Sequence, residues 1–215
     1  MDSVMTPTMK ELARRAMALC GGGSRTLLGI VGAPGAGKST TAQELLAELP
    51  AGAAALVPMD GFHIADAELV RLGLRDRKGA PDTFDRAGFL VALHRLRQAE
   101  ETVYLPRFDR TIEDSIAAAI AVAPATPLVI VEGNYLLHWP DVAAVLHQTW
   151  FLDPHPRLRR SRLIQRRLDL GQDLAVARTW ASGPDQRNAE LVDQGRERAD
   201  LVITISPLHG AKLVS

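Results

Sequence analysis

The chain has 215 residues, 47% of them hydrophobic, enough apolar material for one domain with a two-layer or three-layer core. Its 25 Lys and Arg balance 25 Asp and Glu, so no overall basic field points to nucleic acid, and any bound anion has to be held by a local site. Cys20 is the only cysteine, which excludes an internal disulfide and a multi-cysteine zinc site and suits a reducing compartment.

Residues 1–24 contain acidic side chains and no unbroken apolar core ahead of a cleavage pattern, so they do not read as a secretory signal. Their later part reads as a short amphipathic helix ending in a glycine-rich lead-in. Five short apolar runs then recur along the chain: TLLGIVG, AALVPMD, PLVIVEG, TWFLD and ADLVITI. They show little period-two alternation, the pattern of strands buried on both faces of a parallel sheet. Helical patterns lie between them at 39–48, 86–98, 157–170 and 186–198, so the chain is predicted to form an α/β sandwich with right-handed crossovers. TVYLPRFDRTIED reads as an edge strand or hairpin, because Pro106 would interrupt a central ladder.

The most apolar stretch, 116–131, is broken by Pro124 and Pro127 and cannot form one membrane-spanning helix. A soluble, cytoplasmic chain is expected, with no membrane or nucleic-acid partner. No repeat or long linker divides it, so residues 1–215 are expected to form one domain, as a monomer or homodimer. In an open α/β sheet, ligands gather beyond the carboxyl ends of the strands. The positions that matter are therefore Gly32 onward, Asp60, Glu132 and Asp153.

GAPGAGKST, from Gly32 to Thr40, contains G-x-x-x-x-G-K-[ST] between a predicted strand and a predicted helix. Gly32, Ala33, Pro34, Gly35, Ala36 and Gly37 bring backbone amides against phosphate oxygens, where larger side chains would collide. Lys38 reaches the β and γ phosphates, and the Ser39 hydroxyl suits magnesium. The helix that opens at Lys38 or Ser39, with Thr40 in its first turn, turns its positive end toward the same anion. The expected fold is a P-loop NTPase three-layer sandwich with a mainly parallel sheet of about five strands, a helical arginine lid and a small acceptor-side hairpin.

No N-K-x-D segment reads guanine, so ATP is expected rather than GTP, together with Mg2+. VIVEGNY ends a later strand with Glu132, where a magnesium-side carboxylate belongs; Asn134, just beyond it, is a candidate acceptor contact. In PMDGFHIAD a strand over 54–59 delivers Asp60 to the catalytic edge. A hydroxyl attacking the γ phosphate in line needs a carboxylate within reach of its proton, and Asp60 fits that role as well as that of a helix cap. His63 lines the pocket, tunes that carboxylate or is simply structural.

RDRKGAPDTFD offers Arg77 and Lys78 either to an anionic or hydroxyl-rich acceptor or simply to solvent as loop charges, and Asp82 to sugar hydroxyls, with Asp85 as the cap of the helix starting at Arg86. YLPRFDR adds Tyr104, Arg107, Asp109 and Arg110 on the hairpin, a mixture of donors, acceptors and rings that suits a polyol or nucleoside. In HPRLRRSRLIQRRLDLG, Arg159, Arg162 and Arg166 share one helical face, and Arg162 and Arg166 are the candidates for closing over the transferring phosphoryl group. GPDQRNAELV reads as a helix start with Asp185 near the cap.

GAPGAGKS, MDGFH, RKGAPDTFD, PRFDRTIED, VEGNYLL, the arginine-rich segment and the terminal ADLVI together resemble the superfamily of phosphoribulokinase, uridine kinase and bacterial pantothenate kinase. The similarity runs from about Gly29 to Ile205 and is most pronounced toward the fructose transport system kinase branch. The resemblance implies a phosphotransferase that uses ATP and magnesium, with Asp60 as base, acting on a hydroxyl of a small molecule of the sugar (fructose-type) or nucleoside kind, and it puts the GPDQRNAELV segment near the nucleotide end. The reading from another class is a regulatory P-loop ATPase or nucleotide switch whose output is a protein contact.

Overall fold

A computed structural model describes residues 7–205; residues 1–6 of the N-terminal lead-in and residues 206–215 lie outside the described part. In chain order the elements are α1 (Met9–Ala18), β1 (Thr26–Val31), α2 (Lys38–Glu48), β2 (Ala54–Pro58), α3 (Asp66–Leu72), α4 (Arg86–Gln98), β3 (Val103–Asp109), β4 (Asp114–Val122), β5 (Leu128–Gly133), α5 (Pro140–Val145), β6 (Gln148–Pro154), α6 (Pro156–Asp169), α7 (Leu174–Ser182), α8 (Pro184–Asp193) and β7 (Leu201–Ile205). The expected apolar runs are the five strands of a parallel sheet in the order β2-β5-β1-β6-β7.

The missing alternation has a direct cause. Every residue of β1 and β5 is buried. Leu27, Val31, Val129, Val131 and Phe151 enter a core on one face with residues of α4 and α5, while Leu28, Ile30, Leu128, Ile130 and Trp150 enter a second core with α1 and α2. Side chains still alternate between faces, but both faces are covered, so the sequence shows one apolar run. Helices pack on both sides of the sheet, making three layers.

Local chemistry sets several boundaries. Thr8 and Glu11 form a capping box at the start of α1. Asp85 caps α4 as expected, its carboxylate accepting from Gly88 N at 2.8 Å. Arg25 is buried just before β1, where its guanidinium donates to the carbonyls of Thr126, Leu96, Ala123 and Pro124 at 2.5–3.0 Å. It ties the start of β1 to the loop before β5 and to the end of α4.

The structure differs from the sequence reading in several elements. TVYLPRFDRTIED forms the start of a longer antiparallel hairpin, β3 with β4, whose register shifts between Leu105 and Arg107 around Pro106. The strand expected to run to residue 59 ends at Pro58, and Met59–Phe62 form a 3-10 turn. The helix expected over 186–198 ends at Asp193; Gly195 packs so tightly that a β carbon there would stand 2.9 Å from Leu137 Cβ, and a separate 3-10 turn covers Arg196–Arg198. Helices α3, α5 and α7 fall outside the helical patterns of the sequence. Asp185 does lie near the start of α8, in its first turn, while the N-cap itself is Gly183, with no side-chain capping bond. Among the described residues no helix is long and apolar enough to cross a membrane.

Candidate active site

A cavity of about 910 Å³ is lined by the loop after β1, the turn after β2, the tip of β5, the loop before α4, the β3–β4 turn, and residues of α6, α7 and α8. Its floor is the glycine-rich loop. Pro34, Gly35, Gly37, Lys38, Ser39 and Thr40 face the cavity, while Gly32, Ala33 and Ala36 are buried beneath it. Gly37 is the N-cap of α2 with φ 94°, a conformation that a β carbon disfavours. The amides of the first helical turn are thus free to meet an anion.

Helix α6 braces this loop. Arg162 Nη1 donates to Ala36 O at 3.0 Å and Arg159 Nη1 to Pro34 O at 3.4 Å. Arg159 is buried and also donates to Gln186 at 2.5 Å, so it is part of the packing between α6 and α8. Arg162 and Arg166 both line the cavity, and Arg166 is exposed within it. Arg167 stacks its guanidinium 4.3 Å from the centre of the Trp180 ring.

Lys38 Nζ donates to Asn134 Oδ1 at 2.5 Å and to Ala33 O at 3.3 Å. Burial pushes the lysine's pKa below its ordinary value, against the opposing pull of Glu132 and Asp60. Asn134 therefore contacts the phosphate-loop lysine directly, besides lining the cavity. Ser39 Oγ donates to Glu132 Oε1 at 3.1 Å. Glu132 is 4% exposed, and burial, reinforced by the neighbouring Asp60 carboxylate, raises its pKa to about 7.

The hydroxyl of Ser39 and the carboxylate of Glu132 are hard oxygen donors of the kind that hold Mg2+. Among the described residues there is no cluster of three or more His, Cys, Asp or Glu suited to a metal. An ion held by this one carboxylate and hydroxyl would take its remaining ligands from phosphate oxygens and water.

Asp60 sits half-buried on the 3-10 turn after β2 and lines the same cavity as Lys38, Ser39 and Glu132. Two close approaches put it there. A β carbon on Gly133 would lie 2.6 Å from Met59 Cβ, so the glycine lets the end of β2 press against the end of β5. One on Gly61 would collide with Pro106 O, so the hairpin bulge closes directly over the turn. That contact brings Arg110 Nη2 to 3.4 Å from Asp60 Oδ2. His63 lies 4.0 Å from Phe84 and 4.9 Å from Phe108, ring centre to ring centre. Its Nδ1 is 2.8 Å from Asp60 O and, since a carbonyl only accepts, carries the proton. Burial lowers the pKa of His63, so it is a neutral wall beside Asp60.

The expected acceptor residues divide. Lys78 lines the cavity, with Nζ bonded to Asp66 and to Glu113 O and lying 5.2 Å from the centre of the Phe108 ring. Arg77 and Asp82 do not line it: they pair with each other on the surface at 3.1 Å, 60% and 44% exposed, because the two 3-10 turns that carry them point outward. Tyr104 is 61% exposed, since Val103 and Leu105 take the buried face of β3. Arg107 is exposed beyond the bulge, and the Asp109 carboxylate accepts from Thr111 N and Oγ1. Asp153 pairs with Arg196 at 2.9 Å away from the cavity. Sequence reasoning missed Arg75, Phe84 and Trp180 as cavity residues. Arg167 and Asp185, which also line it, belong to the arginine-rich segment expected to close the site and to the segment that the resemblance puts near the nucleotide.

The phosphate loop, the carboxylate beside its serine and the cationic helix braced on it define a P-loop phosphotransferase. No family model matches the chain. It is 35% identical over 192 residues to the uncharacterized protein YggC of Escherichia coli, covering 85% of this chain and 78% of that one. It is 31% identical over 220 residues to the Schizosaccharomyces pombe protein named "Putative uridine kinase C227.14", covering 94% and 92%. A crystal structure described as a "putative fructose transport system kinase" from Silicibacter sp. TM1040 superposes with a TM-score of 0.83 at 38% identity, covering 91% of this chain and 98% of that one. The chain belongs to the P-loop kinase superfamily of uridine kinase, pantothenate kinase and these fructose transport system kinase-like proteins. It is an ATP-dependent small-molecule phosphotransferase acting on a hydroxyl group.

Proposed function

We propose that the chain, acting as one kinase domain, transfers the γ-phosphoryl group of ATP to a hydroxyl of a polyhydroxylated small molecule, of the sugar or nucleoside kind. The observation that carries this reading is the convergence of Lys38, Ser39, Asp60 and Glu132 on one cavity from the adjacent tips of β1, β5 and β2. In this account Asp60 accepts the proton of the attacking hydroxyl, and Arg110, 3.4 Å away, helps hold the carboxylate turned into the cavity. Lys38 and the amides of the loop hold the β and γ phosphates, and Arg162 and Arg166 face the transferring group from α6. Ser39 and Glu132 would hold Mg2+, which when bound would neutralise phosphate charge. His63, Phe84, Phe108 and Lys78 form the acceptor wall. Both the Silicibacter and the S. pombe relatives carry names consistent with a hydroxyl acceptor of this kind.

The test is a screen of sugars, nucleosides and other polyhydroxylated alcohols for accelerated release of ADP from ATP, with and without Mg2+. The expected result is Mg2+-dependent acceleration by one chemical class and recovery of its phosphate ester. ATP hydrolysis that no alcohol accelerates, but that a protein partner does, would instead identify a regulatory ATPase.

A further inference from the structure

Asp185 is the cavity residue whose chemistry the phosphate loop and the base leave unused. It lies in the first turn of α8 and is 8% exposed, yet Oδ2 is buried with no hydrogen-bond partner among the described residues. Carboxylates are almost never buried without partners, because the loss of hydration is large and uncompensated. Arg159, Arg166 and Arg167 lie within electrostatic reach, but none donates a hydrogen bond to it. Arg159 is committed to Gln186 and Pro34 O, and Arg167 is stacked on Trp180 and bonded to Gln172, its own Nε buried without a partner.

Both residues line the cavity, and each keeps one buried polar atom without a partner, an acceptor on Asp185 and a donor on Arg167. The arginines repel an ammonium group, so the matching ligand is neutral and carries both a donor and lone pairs. A hydroxyl meets both requirements. The location indicates whose hydroxyl it is. Asn188, one turn further along α8, donates to Gly79 O at 3.2 Å, and Tyr135 donates to the same carbonyl at 2.6 Å. Gly79 belongs to the loop before α4 that also carries Lys78, so the start of α8 is fastened to the acceptor side of the cavity.

We propose that Asp185 is a specificity-determining residue of the acceptor site, its carboxylate taking a hydrogen bond from a second hydroxyl of the molecule whose reacting hydroxyl meets Asp60. This rests on the proposed kinase reading and narrows it: the acceptor carries at least two hydroxyls, held by carboxylates from β2's turn and from α8. A ribose hydroxyl of the nucleotide offers the same chemistry, and the experiment separates the two.

The wild-type chain, Asp185→Asn and Asp185→Ala would be assayed for phosphorylation of D-fructose, D-ribose, uridine, glycerol and the monohydric alcohol propan-1-ol, with unfolding midpoints measured in parallel. The expected result is phosphorylation of a polyhydroxylated member, an acceptor KM raised about tenfold to a hundredfold in both variants, and an ATP KM within about twofold of wild type. The midpoint stays level or rises, because a buried unpaired charge is removed. A raised ATP KM with unchanged acceptor KM would assign Asp185 to the nucleotide and overturn the inference. So would a lowered kcat at unchanged acceptor KM, or a lowered midpoint with normal kinetics. Phosphorylation of propan-1-ol alone would overturn the inference while leaving the kinase reading intact, whereas phosphorylation of none of these alcohols would overturn both.

Discussion

Gly133, at the tip of β5, and Met59, just beyond β2, pack so closely that a β carbon on the glycine would stand 2.6 Å from Met59 Cβ and 2.9 Å from Met59 Sδ. Glu132 and Asp60 are the next residues along these two tips, so the spacing between the two carboxylates depends on this contact. Gly133→Ala should cost about 1–3 kcal/mol of stability through overpacking. It should also lower kcat by at least about tenfold by parting the two carboxylates. Denaturant unfolding and steady-state kinetics on the same preparation check both; full activity would show that the spacing is not critical.

Glu132 gives the site a pH dependence. Burial raises its carboxyl from 4.5 to about 7 in the folded chain. Its proton therefore stabilises the metal-free fold: the contribution is complete below about pH 4.5 and is lost as pH rises through about 7. Magnesium competes with that proton. The half-saturating Mg2+ concentration should accordingly rise about tenfold per pH unit below about 7. Glu132→Gln should weaken Mg2+ dependence at every pH and remove the slope. Titrating Mg2+ between pH 5.5 and 8.5, roughly the window around that pKa, checks this.

The outward side of β3 should be kinetically silent. Tyr104 is 61% exposed and Arg107 is exposed, both outside the cavity. Tyr104→Ala and Arg107→Ala should leave acceptor KM and kcat within about twofold of wild type. Arg110→Ala should lower kcat, because it removes the 3.4 Å contact with Asp60. As Arg110 is exposed and Asp60 only half-buried, stability should change by no more than about 0.5 kcal/mol. Parallel kinetics on the three variants test the division.

That division also marks what the sequence made legible. The sheet was readable because strands buried on both faces leave unbroken apolar runs, and the phosphate loop, Asp60 and Glu132 were readable because each ends such a run. The acceptor side was not, since the direction of Tyr104 or Arg77 depends on how the hairpin and the 3-10 turns pack. The Gly61–Pro106 contact that sets the hairpin joins residues far apart in sequence. The place of Asp185 near a helix start is legible because capping composition is local, while the lack of a partner for its Oδ2 is a property of the assembled cavity.

Arg25 tests the scaffold separately from the chemistry. It is 4% exposed and serves the carbonyls of Leu96, Ala123, Pro124 and Thr126. Arg25→Ala strips those carbonyls of their donor and should cost about 2–4 kcal/mol. The fraction that remains folded should keep its KM for ATP. Thermal unfolding alongside kinetics at low temperature checks this.

The most direct measurement is the turnover of Asp60→Asn at saturating ATP, Mg2+ and acceptor, with ATP affinity measured in parallel. The account predicts a loss of about a hundredfold to ten-thousandfold in kcat with ATP affinity nearly unchanged, since the amide keeps the shape of the side chain but cannot take the hydroxyl's proton. Wild-type turnover in that variant would contradict the assignment of Asp60 as the base.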